Sequence, residues 1–322
     1  MRAVTARGRW IWAASGLATA AVLAVPGARL LSHPGVTYRH LTPPLTITRT
    51  TSVTQAITSL NVQSQGGAVL VHAGSGHAVQ ITESISYSKS AAPPPLVRDV
   101  VSGGRLTLSD PSCTDSSACG VAFAVTVPAT VSATVTSSGA AVSISGLAGA
   151  NVDSGGGPVT IKHLTGPGTV GTDGGALDLD GLTGALHADT GGGPLSARDV
   201  DGPATIATDG GSLELNGLTG ALQADSGGGP VTAQNVSAPA ATVTTGGGSA
   251  GLVFAAAPRS VTLFTDGGPA VLDVPGGPYA LTTGGDGGPV SVRIATSPSA
   301  TRSLNVSSGG GSLAIDPAGP GR

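Results

Sequence analysis

Glycine-rich corners recur every 18 residues in the middle of this chain, and this interval constrains the fold more than any other feature. The last glycines of successive corners are Gly157, Gly175, Gly193, Gly211 and Gly229. The full sequence D-S/T-G-G-G-P returns only every 36 residues, at 153–158, 189–194 and 225–230, because two versions of the unit alternate. A fixed short period is typical of a repeat architecture in which each unit stacks on the next.

The segments between the corners predict short β-strands. Residues 158–164 read PVTIKHL and residues 176–182 read ALDLDGL, with apolar side chains at alternate positions. Period two indicates strands, and the glycine density excludes helices. A second series of corners divides each unit at Gly166, Gly184, Gly202 and Gly220. We therefore predict an all-β, single-stranded β-solenoid with ~18-residue coils, parallel stacking at about 4.8 Å and two main faces.

The predicted core consists of inward rows that run from coil to coil. The first two rows are Val159, Leu177, Leu195, Leu213, Val231 and Ile161, Leu179, Ala197, Leu215, Ala233. The opposite strand contributes Gly168, Leu186, Ala204, Leu222 and Val170, Ala188, Ile206, Ala224. Small residues lie beside large ones, which keeps the volume of each layer nearly constant, as close packing requires. We predict that the corner positions are glycine because the turn there either requires a positive φ or leaves no room for a side chain.

Composition agrees with a thin core and excludes one class of partner. The chain has 52 Gly and 23 Pro but only three Phe, three Tyr and two Trp in 322 residues, so aromatic side chains cannot fill a conventional core. The regular spacing of the apolar residues argues against disorder. Net charge is −3 and no basic patch is present, so we expect no nucleic-acid partner.

The first 31 residues have the features of a targeting segment. Arg2, Arg7 and Arg9 precede an uncharged run of 18 residues over 11–28, which is near the shortest length that spans a bilayer. The positive-inside rule leaves these arginines in the cytoplasm and the remainder outside it. We predict a retained signal anchor over 1–31, a single pass through the cell membrane, and a juxtamembrane linker over 32–44. The alternative is a cleaved signal peptide and secretion.

Three further parts follow the linker. Residues 45–119 form an irregular β part that caps the solenoid, 120–316 form the regular solenoid, and 317–322 are a tail. Cys113 and Cys119 lie in a short polar loop, and an even pair in an exported chain predicts a disulfide, with two free thiols as the alternative. An open solenoid end recruits further strands, so removal of the cap is expected to cause self-association.

The segment VTVPATVSATVTSSGAAVSISGLAG, residues 125–149, resembles the putative adhesin family of bacterial envelope proteins. Those domains run from a V-x-V-P strand into repeated S-G-x-G-x-V-x-[VL]-x-G-L-x-G units. The resemblance covers 120–316 well and 45–119 loosely. It implies a β-solenoid outside the membrane with no established activity. This chain departs from the pattern because Pro or Ala follows the corner glycines, as at Pro158 and Ala176, and Asp precedes them.

Aspartates at the corners are candidate calcium ligands. They are Asp153, Asp173, Asp189, Asp209, Asp225, Asp266 and Asp286. One solenoid repeat binds calcium through corner carboxylates and carbonyls. The sequence favours turn capping instead, because carboxylates on adjacent coils are offset. A hydroxyl series at Ser154, Thr172, Thr190, Thr208 and Ser226 predicts a hydrogen-bond ladder rather than a flat water-binding array.

Outward charged residues provide the remaining candidates. Lys162, Asp180 and Arg198 lie on successive coils and form either a glycan-binding face or an alternating charge ladder. Asp178 and Glu214 are a candidate catalytic pair, but they are two coils apart, near 10 Å. Glycosidase carboxylates flank a cleft, and the sequence offers no evident aromatic platform for sugar stacking. We therefore predict no enzyme and no cofactor.

These observations predict an extracytoplasmic, non-enzymatic surface module with adhesin-like binding or a structural role. Its predicted partners are the cell membrane, through the N-terminal helix, and an envelope protein or a surface glycan. One alternative is an envelope-stress sensor or assembly partner of a membrane protein. The other is a carbohydrate-active β-helix enzyme.

Overall fold

The computed structural model describes residues 45–88, 97–110, 119–285 and 287–319. These residues form a β-solenoid of about ten turns, with a 14-stranded sheet, called sheet A, and a 13-stranded sheet, called sheet B. The described ranges contain no helix that could cross a membrane. The predicted signal anchor, the linker and Cys113 lie outside the described residues. Cys119 begins a strand, and its predicted disulfide with Cys113 stays a prediction.

The strands are numbered in chain order. Those of the N-terminal part are β1 (Leu45–Val53), β2 (Ser59–Ser64), β3 (Val69–Gly74), β4 (Val79–Tyr87), β5 (Arg98–Ser102), β6 (Arg105–Ser109) and β7 (Cys119–Pro128). The next eight are β8 (Ser132–Ser137), β9 (Val142–Ser145), β10 (Gly149–Ser154), β11 (Val159–Leu164), β12 (Gly168–Thr172), β13 (Leu177–Thr183), β14 (Leu186–Thr190) and β15 (Leu195–Asp201). They are followed by β16 (Ala204–Thr208), β17 (Leu213–Leu218), β18 (Leu222–Ser226), β19 (Val231–Val236), β20 (Ala240–Thr245), β21 (Ala250–Phe254), β22 (Ser260–Thr265) and β23 (Ala270–Val274). The last four are β24 (Ala280–Gly285), β25 (Val290–Val292), β26 (Ser303–Ser308) and β27 (Leu313–Pro317).

Each regular coil contributes one strand to each sheet. From β8 to β23, the even-numbered strand lies in sheet B, a glycine corner leads to the odd-numbered strand in sheet A, and the second corner returns the chain to sheet B. Parallel pairing places Val159 beside Leu177 and Leu177 beside Leu195, and it places Ala188 beside Ile206. The predicted period, the two faces and the inward rows are therefore confirmed.

The inward rows alternate in side-chain size along the chain. Leu179 on β13 is followed by Ala188 on β14, and Ala197 on β15 is followed by Ile206 on β16. All four side chains are fully buried. A large side chain in one sheet thus comes next to a small one in the other along the chain, which keeps the core volume nearly constant along the stack, as interior packing density requires.

The last glycine of each corner is needed because two backbones approach closely. A Cβ added to Gly193 would lie 2.1 Å from the carbonyl oxygen of Gly175, and a Cβ on Gly211 would lie 2.0 Å from that of Gly193. Neither glycine has a positive φ. The ladder of corner glycines therefore reflects coil-to-coil contact rather than a left-handed turn, and only the β8–β9 coil among the regular coils from β8 to β23 has a larger residue, Ala140, at this place.

Buried hydroxyl groups hold these corners, as the sequence predicted. Thr190 Oγ1 accepts a hydrogen bond from the Gly193 amide at 2.8 Å and lies 3.2 Å from the Gly193 carbonyl oxygen, to which it donates. The series consists of Ser154, Thr172, Thr190, Thr208 and Ser226, and each member is buried. Their inward orientation excludes the water-binding array for this series, because no hydroxyl of it reaches the surface.

A left-handed position in sheet A follows the same 36-residue alternation. His163, Asp199 and Asn235 have φ values of 55°, 51° and 52°, and the equivalent residues of the intervening coils are Gly181 and Gly217. A Cβ on Gly217 would lie 2.7 Å from Asp199 Oδ1. Glycine at every second coil therefore avoids crowding of side chains on consecutive coils and adopts the left-handed conformation without strain.

The two ends of the solenoid are not stacked in chain order. At the N-terminal end the coil of β2 and β3 lies between β6 and β7 on one side and β8 and β9 on the other. Beyond β7, sheet A continues into the antiparallel strands β4 and β1. At the C-terminal end, β26 and β27 are inserted between the β22–β23 coil and the outermost strands β24 and β25. The predicted irregular part thus contains a regular coil.

Charged side chains close the N-terminal end. Arg49 Nε on β1 lies 2.7 Å from Glu83 Oε2 on β4, and Arg49 Nη2 lies 3.2 Å from Asp99 Oδ2 on β5. The Glu83 side chain is only 1% exposed. Burial, followed by the neighbouring Asp99 carboxyl, raises the pKa of Glu83, and the ion pair with Arg49 opposes that rise. This cluster joins both sheets where a further coil would otherwise stack.

A second buried carboxyl group at this end makes stability depend on pH. Burial raises the pKa of Asp110 from 3.8, although the Gln65 amide donates to Oδ1 at 2.9 Å. The native state therefore favours the protonated form, and this contribution is present below pH 3.8 and is lost as the pH rises through the native pKa. We expect Asp110→Asn to raise the melting temperature at pH 8 but not at pH 3, whereas Asp153→Asn, at an exposed corner, changes neither. A lower melting temperature of Asp110→Asn at pH 8 would contradict this assignment.

Candidate binding faces

The outer face of sheet A carries the predicted charged row. Lys162, Asp180 and Arg198 are register neighbours on β11, β13 and β15, as expected. Arg198 pairs diagonally, with its Nη1 3.2 Å from Asp178 Oδ1. About half of each of these two side chains is exposed, so the pair adds little stability. The row therefore has the geometry of a solvent-exposed ladder of alternating charges. Its role in binding stays a prediction.

The candidate catalytic carboxylates lie on the same face. Asp178 and Glu214 are separated by Ser196 on the intervening strand, so they are two strand spacings apart, about 10 Å. A shallow depression runs between them along the sheet. Asp178 forms an ion pair with Arg198. The structure therefore places this pair on an open sheet surface rather than on opposite walls of a cleft.

The corner aspartates form a staggered array. Asp153 and Asp189 have Gly171 between them in register, and Asp173 and Asp209 lie two residues further along the intervening coils. Four of these carboxylates line a shallow depression. Within the described ranges, no three His, Cys, Asp or Glu side chains converge in a way that could hold a metal ion. Calcium binding by Asp153, Asp173, Asp189, Asp209 and Asp225 stays the untested alternative to turn capping.

The outer face of sheet B carries a feature that the sequence analysis missed. One outward residue from each of twelve strands forms a continuous row of uncharged polar side chains, called the polar stripe. Its members, in spatial order, are Thr107, Asn61, Thr134, Asn151, Thr169, His187, Thr205, Gln223, Thr242, Thr262, Asn305 and Thr282. The stripe contains no Lys, Arg, Asp or Glu, and its side chains present hydroxyl, amide and imidazole groups at a regular strand spacing of about 4.8 Å.

An exposed aromatic residue lies next to this stripe. Phe264 on β22 points outward and is 40% exposed. Its register neighbours are Thr244 and Ser307. We call the outward positions of β20, β22, β26 and β24 the Phe264 patch. It comprises Ala240, Thr242, Thr244, Ser260, Thr262, Phe264, Ala280, Thr282, Gly284, Ser303, Asn305 and Ser307. Phe264 is thus an exposed aromatic ring that the sequence analysis did not consider when it found no aromatic platform.

Comparison with known proteins yields only remote structural likenesses. No family model and no curated protein matches the chain. It is similar to a putative adhesin of Parabacteroides distasonis, with a TM-score of 0.39 and 10% identity over 84% of this chain and 97% of the other. A putative cell adhesion protein of Clostridium sporogenes matches with a TM-score of 0.25 and 10% identity over 85% and 99%. A putative adhesin of Bacteroides fragilis matches with a TM-score of 0.28 and 16% identity over 84% and 96%.

Proposed function

We propose that this chain is an extracytoplasmic, non-enzymatic surface module that binds other envelope components through the outer face of sheet B. The polar stripe is the observation that supports this proposal. It extends across twelve strands without a charged side chain, whereas the row of Lys162, Asp180 and Arg198 on the outer face of sheet A alternates in charge. Residues 1–31 would anchor the module in the membrane, and Cys113–Cys119 would form a disulfide.

The stacked coils suit this role physically. A strand in the interior of a sheet is held by hydrogen bonds on both sides, so the stripe is rigid before a partner arrives. Rigid, preorganised groups lose little conformational entropy on binding. Repeated weak contacts along one face then combine into useful avidity. A deep pocket is not needed for binding of this kind.

The test is capture of partners by the full-length chain from detergent-solubilised envelopes of the source organism, with and without EDTA. We expect a specific partner to be retained in both conditions. A partner lost in EDTA would assign binding to the corner aspartates, with calcium as ligand. Absence of any retained envelope component in both conditions would contradict the proposed function and favour a purely structural role.

A further inference from the structure

We propose that the Phe264 patch is a binding site for an uncharged glycan, with one sugar ring stacked on Phe264 and its hydroxyl groups bound by the neighbouring polar side chains. This inference rests on the proposed function, because it names the ligand class of the same face. It concerns only the four strands β20, β22, β26 and β24.

The exposure of Phe264 is exceptional in this molecule. The other aromatic side chains in the described part of the chain are Phe123, Phe254, Tyr87 and Tyr279, and each of them is at most 9% exposed. Most other outward positions on sheet B are filled by polar, charged or small residues, and Val100 on the edge strand β5 is an aliphatic exception. An exposed aromatic ring offers a flat apolar surface, which is the shape and polarity that the C–H face of a pyranose ring requires.

The residues around the ring provide the complementary hydrogen-bonding groups. Thr262 lies two residues before Phe264 on the same strand, and Thr242 and Asn305 flank Thr262 in register. These three side chains are exposed, and within the described residues they make no hydrogen bond to another protein group. Hydroxyl and amide groups both donate and accept, so each can pair with a sugar hydroxyl in either sense.

The space above the ring is open because its neighbours are short. Thr244 and Ser307 flank Phe264 in register, and Gly284 follows Ser307 on the outermost strand. None of these side chains is long enough to cover the ring. The strand spacing of about 4.8 Å is close to the length of one hexose unit in an extended glycan. A glycan that crosses the strands would therefore meet one new polar side chain with each unit.

The lack of charged side chains in the Phe264 patch favours an uncharged glycan over nucleic acids and acidic polysaccharides. The patch contains no charged side chain. At its rim, Arg259 and Arg302 precede the strands, Asp266 follows Phe264, and Asp225 on β18 is the register neighbour of Thr244. Binding of nucleic acids or acidic polysaccharides depends on clustered Lys and Arg side chains. The stripe continues from the patch to His187 and beyond, so a long neutral chain finds further hydrogen-bonding groups there.

Affinity electrophoresis provides the test. The full-length chain, in a detergent without a sugar headgroup, is run in native gels that contain hydroxyethylcellulose, laminarin, mannan or polygalacturonate. We expect at least one of the three neutral polysaccharides to retard the chain and acidic polygalacturonate to have no effect. Phe264→Ser should weaken the retardation about tenfold in apparent Kd, and Phe264→Tyr should retain it because the ring remains.

Val271→Ser is the matched control, since Val271 is 41% exposed on the outer face of sheet A, and it should bind like the unmodified chain. Three results would overturn the proposal: no retardation by any neutral polysaccharide, equal retardation of the Phe264→Ser variant, or retardation by polygalacturonate alone. If an envelope partner is still captured in any of these cases, the glycan site is wrong and the proposed function stands. If no envelope partner is captured either, both are wrong.

Discussion

Gly211→Ala is expected to destabilise the solenoid by more than about 3 kcal/mol. The added Cβ would lie 2.0 Å from the carbonyl oxygen of Gly193 and 3.0 Å from Thr208 Oγ1. The first contact is with the backbone of the adjacent coil, and the second is with the buried hydroxyl that bonds the corner. Neither atom belongs to a flexible side chain that could move aside. The coils must separate locally, which breaks the parallel hydrogen bonds on both sides of the corner.

Gly210→Ala is the matched control, because a Cβ there meets no atom within 4 Å and its φ is not in the left-handed region. It should change the free energy of unfolding by no more than about 0.5 kcal/mol. Urea unfolding followed by circular dichroism measures both variants. Equal stability of the two variants would show that the corner ladder is not the close contact described above.

Deletion of residues 45–128, which removes β1 to β7, is expected to convert a monomer into oligomers or aggregates. The deletion uncovers β8 and β9, whose edges pair with β2 and β3 in the complete chain. Two long unpaired parallel edges and the end of an apolar core then face solvent, and such edges recruit further strands. Multi-angle light scattering at several concentrations measures the change.

A rescue variant separates edge pairing from general misfolding. Thr134→Lys and Thr136→Lys add outward charges to the exposed strand β8, and charged edges oppose strand addition. We expect these substitutions in the truncated chain to restore a monomer with β-rich circular dichroism. A truncated chain that is already monomeric and folded would contradict the capping role of the N-terminal part.

The regular coils could be predicted from the sequence because their period determines their register. Once Gly157, Gly175 and Gly193 are aligned, the rows of Val159, Leu177 and their successors follow without further information. The buried hydroxyl ladder followed for the same reason. The left-handed conformation of His163, Asp199 and Asn235, which follows the same 36-residue alternation, could not be predicted, because no spacing reveals a positive φ at a residue other than glycine.

The order of coils at the two ends could not be predicted. Residues 59–74 and 303–317 have the same alternating pattern as any other coil, and their local sequence does not indicate which strands they pair with. Their insertion between other coils depends on pairing with strands that are distant in the sequence. The partners of Glu83 were hidden for the same reason, because Arg49 and Asp99 lie on strands that meet only in the folded chain.

The candidate site was missed for a different reason. Thr169, His187, Thr205 and Gln223 are 18 residues apart and could have been read as an outward row. Uncharged Thr and Gln side chains at outward strand positions are common on any solvated sheet, so the row carries no signal of its own. Phe264 could also have been identified as outward-facing, since Val261, Leu263 and Thr265 alternate with it and are buried.

The most direct test of the binding face compares two double variants of the full-length chain. Thr205→Arg with Thr242→Arg places two bulky charges in the polar stripe, and Thr232→Arg with Val271→Arg places the same charges at exposed positions with the same separation on sheet A. Binding to isolated envelopes is then measured by cosedimentation. The account predicts at least a tenfold loss for the sheet B variant, at about 1.4 kcal/mol per factor of ten, and unchanged binding for the sheet A variant. Equal binding of both variants, or a loss confined to the sheet A variant, would contradict it.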